Sequence, residues 1–592
     1  MKNIAKLLAA SAIIFSCTAC DDLFEPAIEN IKDESTIDGD SDYADGILRS
    51  AYILMPYEST PVNDVATDDA VSNDVTNDYL SMATGSWTSK TSVSGDNWRN
   101  RNGATQFINI FLQHVDNVTF SSVEGINKMF IDRLKGEAYG LRALNMYFLL
   151  QNYGGVGTSG ELLGVQIWTT PYDATVDMNV ARRPFKECLD SLYKDAERAL
   201  ELLPTDYVSI EDESGIPAKY RSLGVTSANY NRVFGQTTWG RMSGRIVEAV
   251  RAQAALLAAS PAFQASGVSW EEAANYAAVA IDNNGGLAGI ASDGYKWYTA
   301  DVIGNTAPSS TSNHAEIIWR SGAEQSSSLE SSNFPPSLYG TGRINPTQNL
   351  VDAFPMANGF PITNSSSGYD ASNPYANRDP RLAEYIVYNG STLGVNNSTV
   401  NTTTTADNND GINKESGYST RTGYYLRKLL RTDVNPNSTN TVTKYHYTAR
   451  IRYTEIYLDY AEAANEAWGP KSSGSHGYSA YDIIKAIRKR AGIIDPAGGD
   501  AYLEQAASSK DTMRELIRNE RRIELCFENH RFWDLRRWQA NLNETARGVE
   551  ITGSTYKYID VEKRQYESYM IYGPIPYTDM LKFSNLEQNQ GW

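Results

Sequence analysis

The feature that most limits how this chain can fold is a set of helical segments that bury themselves only against other helices. In "LKGEAYGLRALNMYFLLQNYGG", Leu134, Ala138, Leu141 and Phe148 recur on one helical face. Gly136, Gly140 and Ala143 form a small-residue stripe beside it, where a second helix can come close, and Gly154-Gly155 ends the segment. The Ala-rich "SGRIVEAVRAQAALLAASPAF" aligns Ile246, Val250 and Leu257 and is closed by Pro261. Ser269, with Glu272 three residues on, then caps "WEEAANYAAVAID". The two segments predict an αα-hairpin. A second hairpin joins "RYTEIYLDYAEAANEAWG" through a Gly/Ser/His loop at 469–478 to "AYDIIKAIRKRAG".

Such hairpins resemble tetratricopeptide units, without a strict 34-residue period, and predict a mostly α chain. Between them, 299–350 and 363–445 are rich in Ser, Thr, Asn, Gly and Pro, too long to be idle connections. Trp319, Phe334, Tyr339, Tyr369 and Tyr375 within them predict a partly ordered surface on the helical scaffold, with the tract "NNSTVNTTTTADNNDG" mobile.

The 592 residues carry 71 acidic against 53 basic side chains, a net charge of -18. A pI near 4.9 excludes a nucleic-acid binder. The 37 Tyr and 11 Trp outweigh 16 Phe, and rings with a polar tip suit wet recognition surfaces as well as cores. The five histidines are scattered without HExxH spacing, and there is no GK[ST] loop or G-x-S-x-G elbow, so no metal, cofactor or catalytic residue is assigned. For Asp68-Asp69, an N-cap with a solvated neighbour is preferred over a calcium site.

At the N-terminus, Lys2 and Lys6 precede an apolar stretch from Leu7 to Phe15, the layout of an export signal. The stretch is shorter than the ~20 residues that a membrane span needs. Thr18 and Ala19 before Cys20 resemble a bacterial lipoprotein cleavage box, with Cys17, preceded by the bulkier Phe15, as the rival. The expected boundaries are a signal at 1–19 and a lipid-anchored chain from Cys20. Cys188 and Cys526 lack metal or disulfide spacing and are expected to be buried thiols.

The run "ELIRNERRIELCFENHRFWDLRRW" places Glu520 and Glu524 on a stripe otherwise apolar, with Glu528 beyond it. Carboxylates there demand partners, and Arg518, Arg521, Arg522 and Arg531 stand at neighbouring turns. An internal ion-pair network is favoured over an acid/base cluster, because the arginines would keep the acids ionised.

This run resembles the C-terminal motif of the SusD/RagB family, surface lipoproteins that bind nutrients. "CDDLFEP", "LRALNMYFLLQNYGGV", "GRIVEAVRAQAALLAASPAF", "NPTQNLVDAFPMANGFPI", "YLRKLL", "EIYLDYAEAANEA" and the ending "YGPIPYTDM...NLEQNQGW" follow in the family's order. Cys17 and Gln590 depart from the usual pattern. The resemblance implies a SusD-like αα superhelix of four tetratricopeptide-like helix pairs bearing long irregular ligand-binding loops. It implies one domain over 20–592, with an N-terminal part to about 240 and a RagB/SusD part from about 241. It also implies a lipid-anchored protein of the outer membrane, at the cell surface, that binds oligosaccharide or polysaccharide and sits over a SusC-like TonB-dependent transporter, without catalysis. Peptide capture is the alternative, and a surface glycoside hydrolase, which needs only two spaced carboxylates, stands behind it. Family members place the ligand on loops with aromatic platforms, so Trp87, Trp297, Tyr298 and Tyr339, with Arg343 as a forked donor, are the candidate contacts. Trp87 is preferred to Trp98 because its loop "MATGSWTSKTSVSGD" has no helical stripe to bury it.

Overall fold

The computed structural model describes residues 34–58, 61–91, 95–172, 175–304, 313–494 and 497–592. The signal segment, Cys17, Cys20 and "CDDLFEP" lie outside them. Eight long helices form four consecutive antiparallel-type pairs: α1 (Ser41–Ile53) with α2 (Gly95–His114), α3 (Glu124–Tyr153) with α4 (Phe185–Leu202), α5 (Gly244–Ala259) with α6 (Trp270–Asp282), and α7 (Tyr453–Trp468) with α8 (Ala480–Arg490). Two further helices, α9 (Lys510–Leu525) and α10 (Arg531–Arg537), carry the C-terminal motif. No described helix is long and apolar enough to cross a membrane.

The glycine stripe of α3 does what its spacing predicts. A Cβ at Gly136 would lie 2.6 Å from Leu203 Cγ at the end of α4, and one at Gly140 would lie 2.5 Å from Met242 Cγ and 3.0 Å from Val247 Cγ2 on α5. Real Cβ atoms do not approach so closely, so the three helices pack at this distance only with glycine there. Arg142 on α3 then forks onto Asp195 of α4 at 2.7 Å through both nitrogens. Ser269 Oγ accepts the Glu272 amide proton at 3.1 Å, starting α6 as expected.

The helices enclose one large apolar cluster, and the long connections fold into a second. Short antiparallel strand pairs stiffen the second: Ala70–Ser72 with Ile344–Pro346, Ile317–Arg320 with Ala449–Arg452, Glu324–Ser326 with Lys444–His446, and the hairpin Ala546–Thr552 with Thr555–Glu562. The threonine tract is ordered, contrary to expectation. Val400 and Thr402 are fully buried, and the Thr404 amide donates to Ile551 O at 2.9 Å on the hairpin. Polarity did not keep the tract in water because its backbone finds partners on a strand edge. Cys188 and Cys526 are buried free thiols.

The acids of α9 are indeed ion-paired, but mainly to residues brought from elsewhere in the chain. Arg381 Nη1 lies 2.5 Å from Glu520 and 3.0 Å from Glu524, Arg490 lies 3.2 Å from Glu524, and Arg452 and Lys428 reach Glu528 at 2.7 and 2.6 Å. The motif's own arginines pair within it and beyond it: Arg521 with Asp534 of α10 (2.7 Å) and with Asp459 (2.6 Å), Arg522 with Asp68 and Asp69, and Arg531 with Asp68 at 2.9 Å through two nitrogens. Arg518 stacks over the Trp538 ring at 4.7 Å. Asp68 and Asp69 are therefore neither a cap with a solvated neighbour nor a metal pair. Both are buried, and they receive the arginines of the C-terminal motif. Among the described residues no group of His, Cys, Asp and Glu is placed to hold a metal ion.

Candidate functional site

Where the helical cluster meets the loop cluster, the packing leaves a cleft of about 470 Å³. One side is the C-terminal turn of α3, with Tyr147, Phe148, Gln151 and Asn152, joined by Tyr57, Asn63 and Gln253 of α5. The other is built from loops and short strands, with Trp297, Tyr298, Tyr447 and Arg450. The turn after α9 supplies the floor through Phe527, Glu528, Asn529 and His530.

The rings are held rigidly. Trp297 and Tyr447 stack with centroids 5.7 Å apart and planes 21° apart, and the Tyr447 hydroxyl donates to Trp297 O at 3.2 Å. Arg320 lies behind Tyr447 at 4.8 Å and is backed by Trp239 at 4.3 Å, a cation between two rings. Across the cleft Tyr57 meets Phe148 and Trp319 edge to face at 5.4 and 5.7 Å.

The floor is a strained turn fixed by the charged core beneath it. Phe527 and Asn529 have φ of 61° and 63°, a conformation that costs a non-glycine residue about 1–3 kcal/mol. The Phe527 amide donates to buried Asp64 at 3.0 Å, and Asn529 Oδ1 accepts from the Val62 and Asn63 amides at 2.8 and 3.2 Å. Burial pushes the Glu528 carboxyl up, but Arg452 and Lys428 outweigh burial and hold it below the usual range. Burial and neighbouring Asp459 instead push Glu455 upward, and Gln253 donates to its Oε1 at 2.6 Å. Burial holds the His530 imidazole down to about 4, so it is neutral at neutral pH. Glu455 and Glu528 are thus shifted in opposite directions, the kind of division that acid/base chemistry uses, but Glu528 has both its oxygens on cations and its side chain is only 9% exposed.

The structure brings two of the candidate contacts into this cleft, Trp297 and Tyr298, each 3% exposed. The others do not line it. Tyr339 is 59% exposed at φ 65° on a separate loop, and Arg343 donates to Gly417 O at 2.8 Å and Asn73 Oδ1 at 3.3 Å, so part of its fork is spent within the protein. Trp87 is 5% exposed, in a third apolar cluster against Trp592 (4.8 Å), Phe532 (6.2 Å) and Tyr566 (6.3 Å). The expectation of a free ring there is corrected: the aromatic rings packed against it come from the C-terminal segments, with Met82 and Ala83 of its own loop in the same cluster. Sequence reasoning missed Tyr57, Tyr147, Gln151, Gln253, Tyr447 and Asn529. Gln253 had left a signal, an amide within the apolar run "VRAQAALLAAS".

Comparison with known proteins agrees with this architecture. Solved structures with the same fold include a SusD-like protein from Bacteroides fragilis, 22% identical, with 96% of this chain matched to 100% of that one at a TM-score of 0.70. A SusD-like carbohydrate-binding protein from the same species is 20% identical over 93% of this chain and 99% of that one, at a TM-score of 0.67. Surface glycan-binding protein A from Bacteroides fluxus is 18% identical over 93% and 100%, at a TM-score of 0.57. No match is found among curated proteins. Two family models match in sequence, one described as "Starch-binding associating with outer membrane" over 34–217 and one described as "SusD family" over 315–592. With models matched in both its N-terminal and C-terminal parts, and with the four helix pairs and the C-terminal charged motif in place, the chain belongs to the SusD/RagB family.

Proposed function

We propose that this protein captures oligosaccharides at the cell surface and passes them, uncleaved, to a TonB-dependent outer-membrane transporter over which it sits, anchored by lipid on Cys20. The observation that carries the reading is the cleft wall of stacked Trp297 and Tyr447 beside side-chain amides, since flat rings cover pyranose faces and amides pair with hydroxyls. Relatives described as carbohydrate-binding and glycan-binding, and a family model described as associating with the outer membrane, support it. The engagement of Glu528 by two cations supports binding over hydrolysis. Tyr339 and Arg343 are proposed as a secondary contact outside the cleft.

Tyr447→Ala is expected to weaken glycan binding about tenfold in calorimetry, roughly the value of a stacked ring and its buried area, and Trp297→Phe, which keeps a ring, to weaken it by less. Trp297→Phe is chosen over alanine because the ring is also part of the core. Full binding by both variants would remove the cleft from the proposal, and new reducing ends released from a polysaccharide would turn the reading toward a hydrolase.

The anchor has its own test. Cys20→Ala should move the protein from the membrane fraction to the soluble fraction. Attachment that survives this change but is lost in Cys17→Ala would transfer the lipid to Cys17.

A further inference from the structure

Arg450 lines the cleft without an anion. It stands on the strand Ala449–Arg452, just after Tyr447, and is the one Arg or Lys on the lining among the described residues. Its guanidinium carbon lies 4.9 Å over the Trp319 ring, a contact that uses none of its five N–H donors. No described residue accepts a hydrogen bond from it or pairs with its charge, and none of its three nitrogens is shut away from solvent. Two residues on, Arg452 meets Glu316 at 2.8 Å and Glu528 at 2.7 Å. The fold thus gives carboxylates to the arginine of the charged core and none to the arginine of the cleft.

The acids on the lining do not make up the difference. Glu528 is held by Arg452 and Lys428, and Glu455, which burial pushes toward its uncharged form, accepts from Gln253 at 2.6 Å. Glu58 and Glu324 are exposed, where water and salt screen them. None of the four is among the groups that act on Arg450, which are the phenols of Tyr57 and Tyr52, kept protonated by burial. Burial itself pulls Arg450 down, the mark of a cation that has lost water without gaining an anion, and a guanidinium stays charged all the same. Arg320, on the paired strand, adds positive charge behind this wall. It lies 4.8 Å from the Tyr447 ring and donates to the neutral acceptors Asn313 Oδ1 (3.2 Å) and Ser321 O (2.9 Å).

We infer that the cleft selects an acidic saccharide, whose anionic substituent, a uronic carboxylate or a sulfate ester, seats on Arg450 beside the wall of Trp297 and Tyr447. The planar fork of a guanidinium matches two oxygens of either group, and hydrogen bonds between two ions are the strong ones. Arg450 is half-buried before any ligand arrives, so part of its hydration is already gone and no protein partner has to be displaced. A neutral sugar offers the fork only hydroxyl oxygens.

This inference rests on the glycan-capture reading, and its test separates the two. Glucose, glucuronate and glucose 6-sulfate share one ring and differ in one substituent. They are titrated into the purified protein at about pH 7, where both acids are ionised, with binding followed by calorimetry or ligand-observed NMR. At least one of the acids is expected to bind about tenfold more tightly than glucose. A gain for glucuronate alone supports a uronic acid, and a gain for the sulfate alone supports a sulfated sugar. Arg450→Gln should bring the preferred acid down to the level of glucose. Arg450→Lys, which keeps the charge and loses the fork, should leave it between the two at the parental melting temperature, since no ion pair is broken. Equal binding of all three sugars, tighter binding of glucose, or a preference that survives Arg450→Gln would overturn the selection of acids while leaving glycan capture intact. Failure of all three to bind would overturn both. Acetyl-glycyl-glycine, a carboxylate without a sugar ring, binding as tightly as the preferred acid would place a peptide C-terminus in the cleft and overturn the saccharide assignment.

Discussion

Glu524→Ala is expected to lower the melting temperature more than any other single change to the α9 motif. The carboxyl is fully buried, with Arg381 at 3.0 Å, Arg490 at 3.2 Å and Arg452 at 3.8 Å around it. Removing it leaves three guanidinium groups facing one another without their shared anion. Breaking a buried pair from one side costs about 3–5 kcal/mol, and a domain's whole stability is about 5–15 kcal/mol. Circular dichroism melts of the variant and the parent measure the loss. A variant with the parental melting temperature but no glycan binding would make Glu524 a ligand residue instead. Acid gives the same interaction a second readout. Burial pushes this carboxyl up, but Arg490, Arg381, Arg452 and Lys428 outweigh burial and hold it at about 2, below its ordinary 4.5. A depressed carboxyl stabilises the fold above its ordinary value, and that contribution is lost as pH falls from 4.5 toward about 2. In Glu524→Gln, that portion of the acid-induced loss of stability should disappear.

Trp87→Ala is the second large effect, and it separates packing from recognition. The ring touches Trp592, Phe532 and Tyr566, with the Arg536 guanidinium 5.2 Å from its centre, and it does not line the cleft. Truncating a buried aromatic ring to alanine costs about 3–5 kcal/mol. The melting temperature should fall sharply, while glycan affinity measured well below the transition stays at the parental value. Loss of affinity at unchanged stability would return Trp87 to the ligand contacts.

Elements whose cause is local were legible in the sequence. The small-residue stripe of α3 and the Ser269 cap lie within a few residues of what they organise, and the structure contains them as expected. The acids of α9 were legible as a network because a carboxylate on an apolar stripe stays ionised in the core only when cations surround it. Most of their partners were not, since Arg381, Arg452, Arg488 and Arg490 lie on other elements, and spacing along one helix carries no information about them. The same reason hid the burial of Trp87 and of Asp68-Asp69. Trp297 and Tyr298 do line the cleft, but several of its polar groups, Gln151 and Asn152 on α3 and Gln253 on α5, sit on helices whose spacing reads mainly as packing, and Asn63 and Asn529 come from turns far apart in sequence.

The bridges from Asp68 to Arg531 join positions 463 residues apart. Closing a loop of that length must precede any gain from the contact, so this interaction forms late in folding. Until the C-terminal helices exist, Asp68 and Asp69 have no arginines to enter the core with, and desolvating them alone is prohibitively unfavourable. The segment that carries them, and the cleft floor pinned to it through Asp64, then stay hydrated while the helix pairs assemble. A chain interrupted before Arg531 is therefore expected to present folded helices without a finished cleft floor.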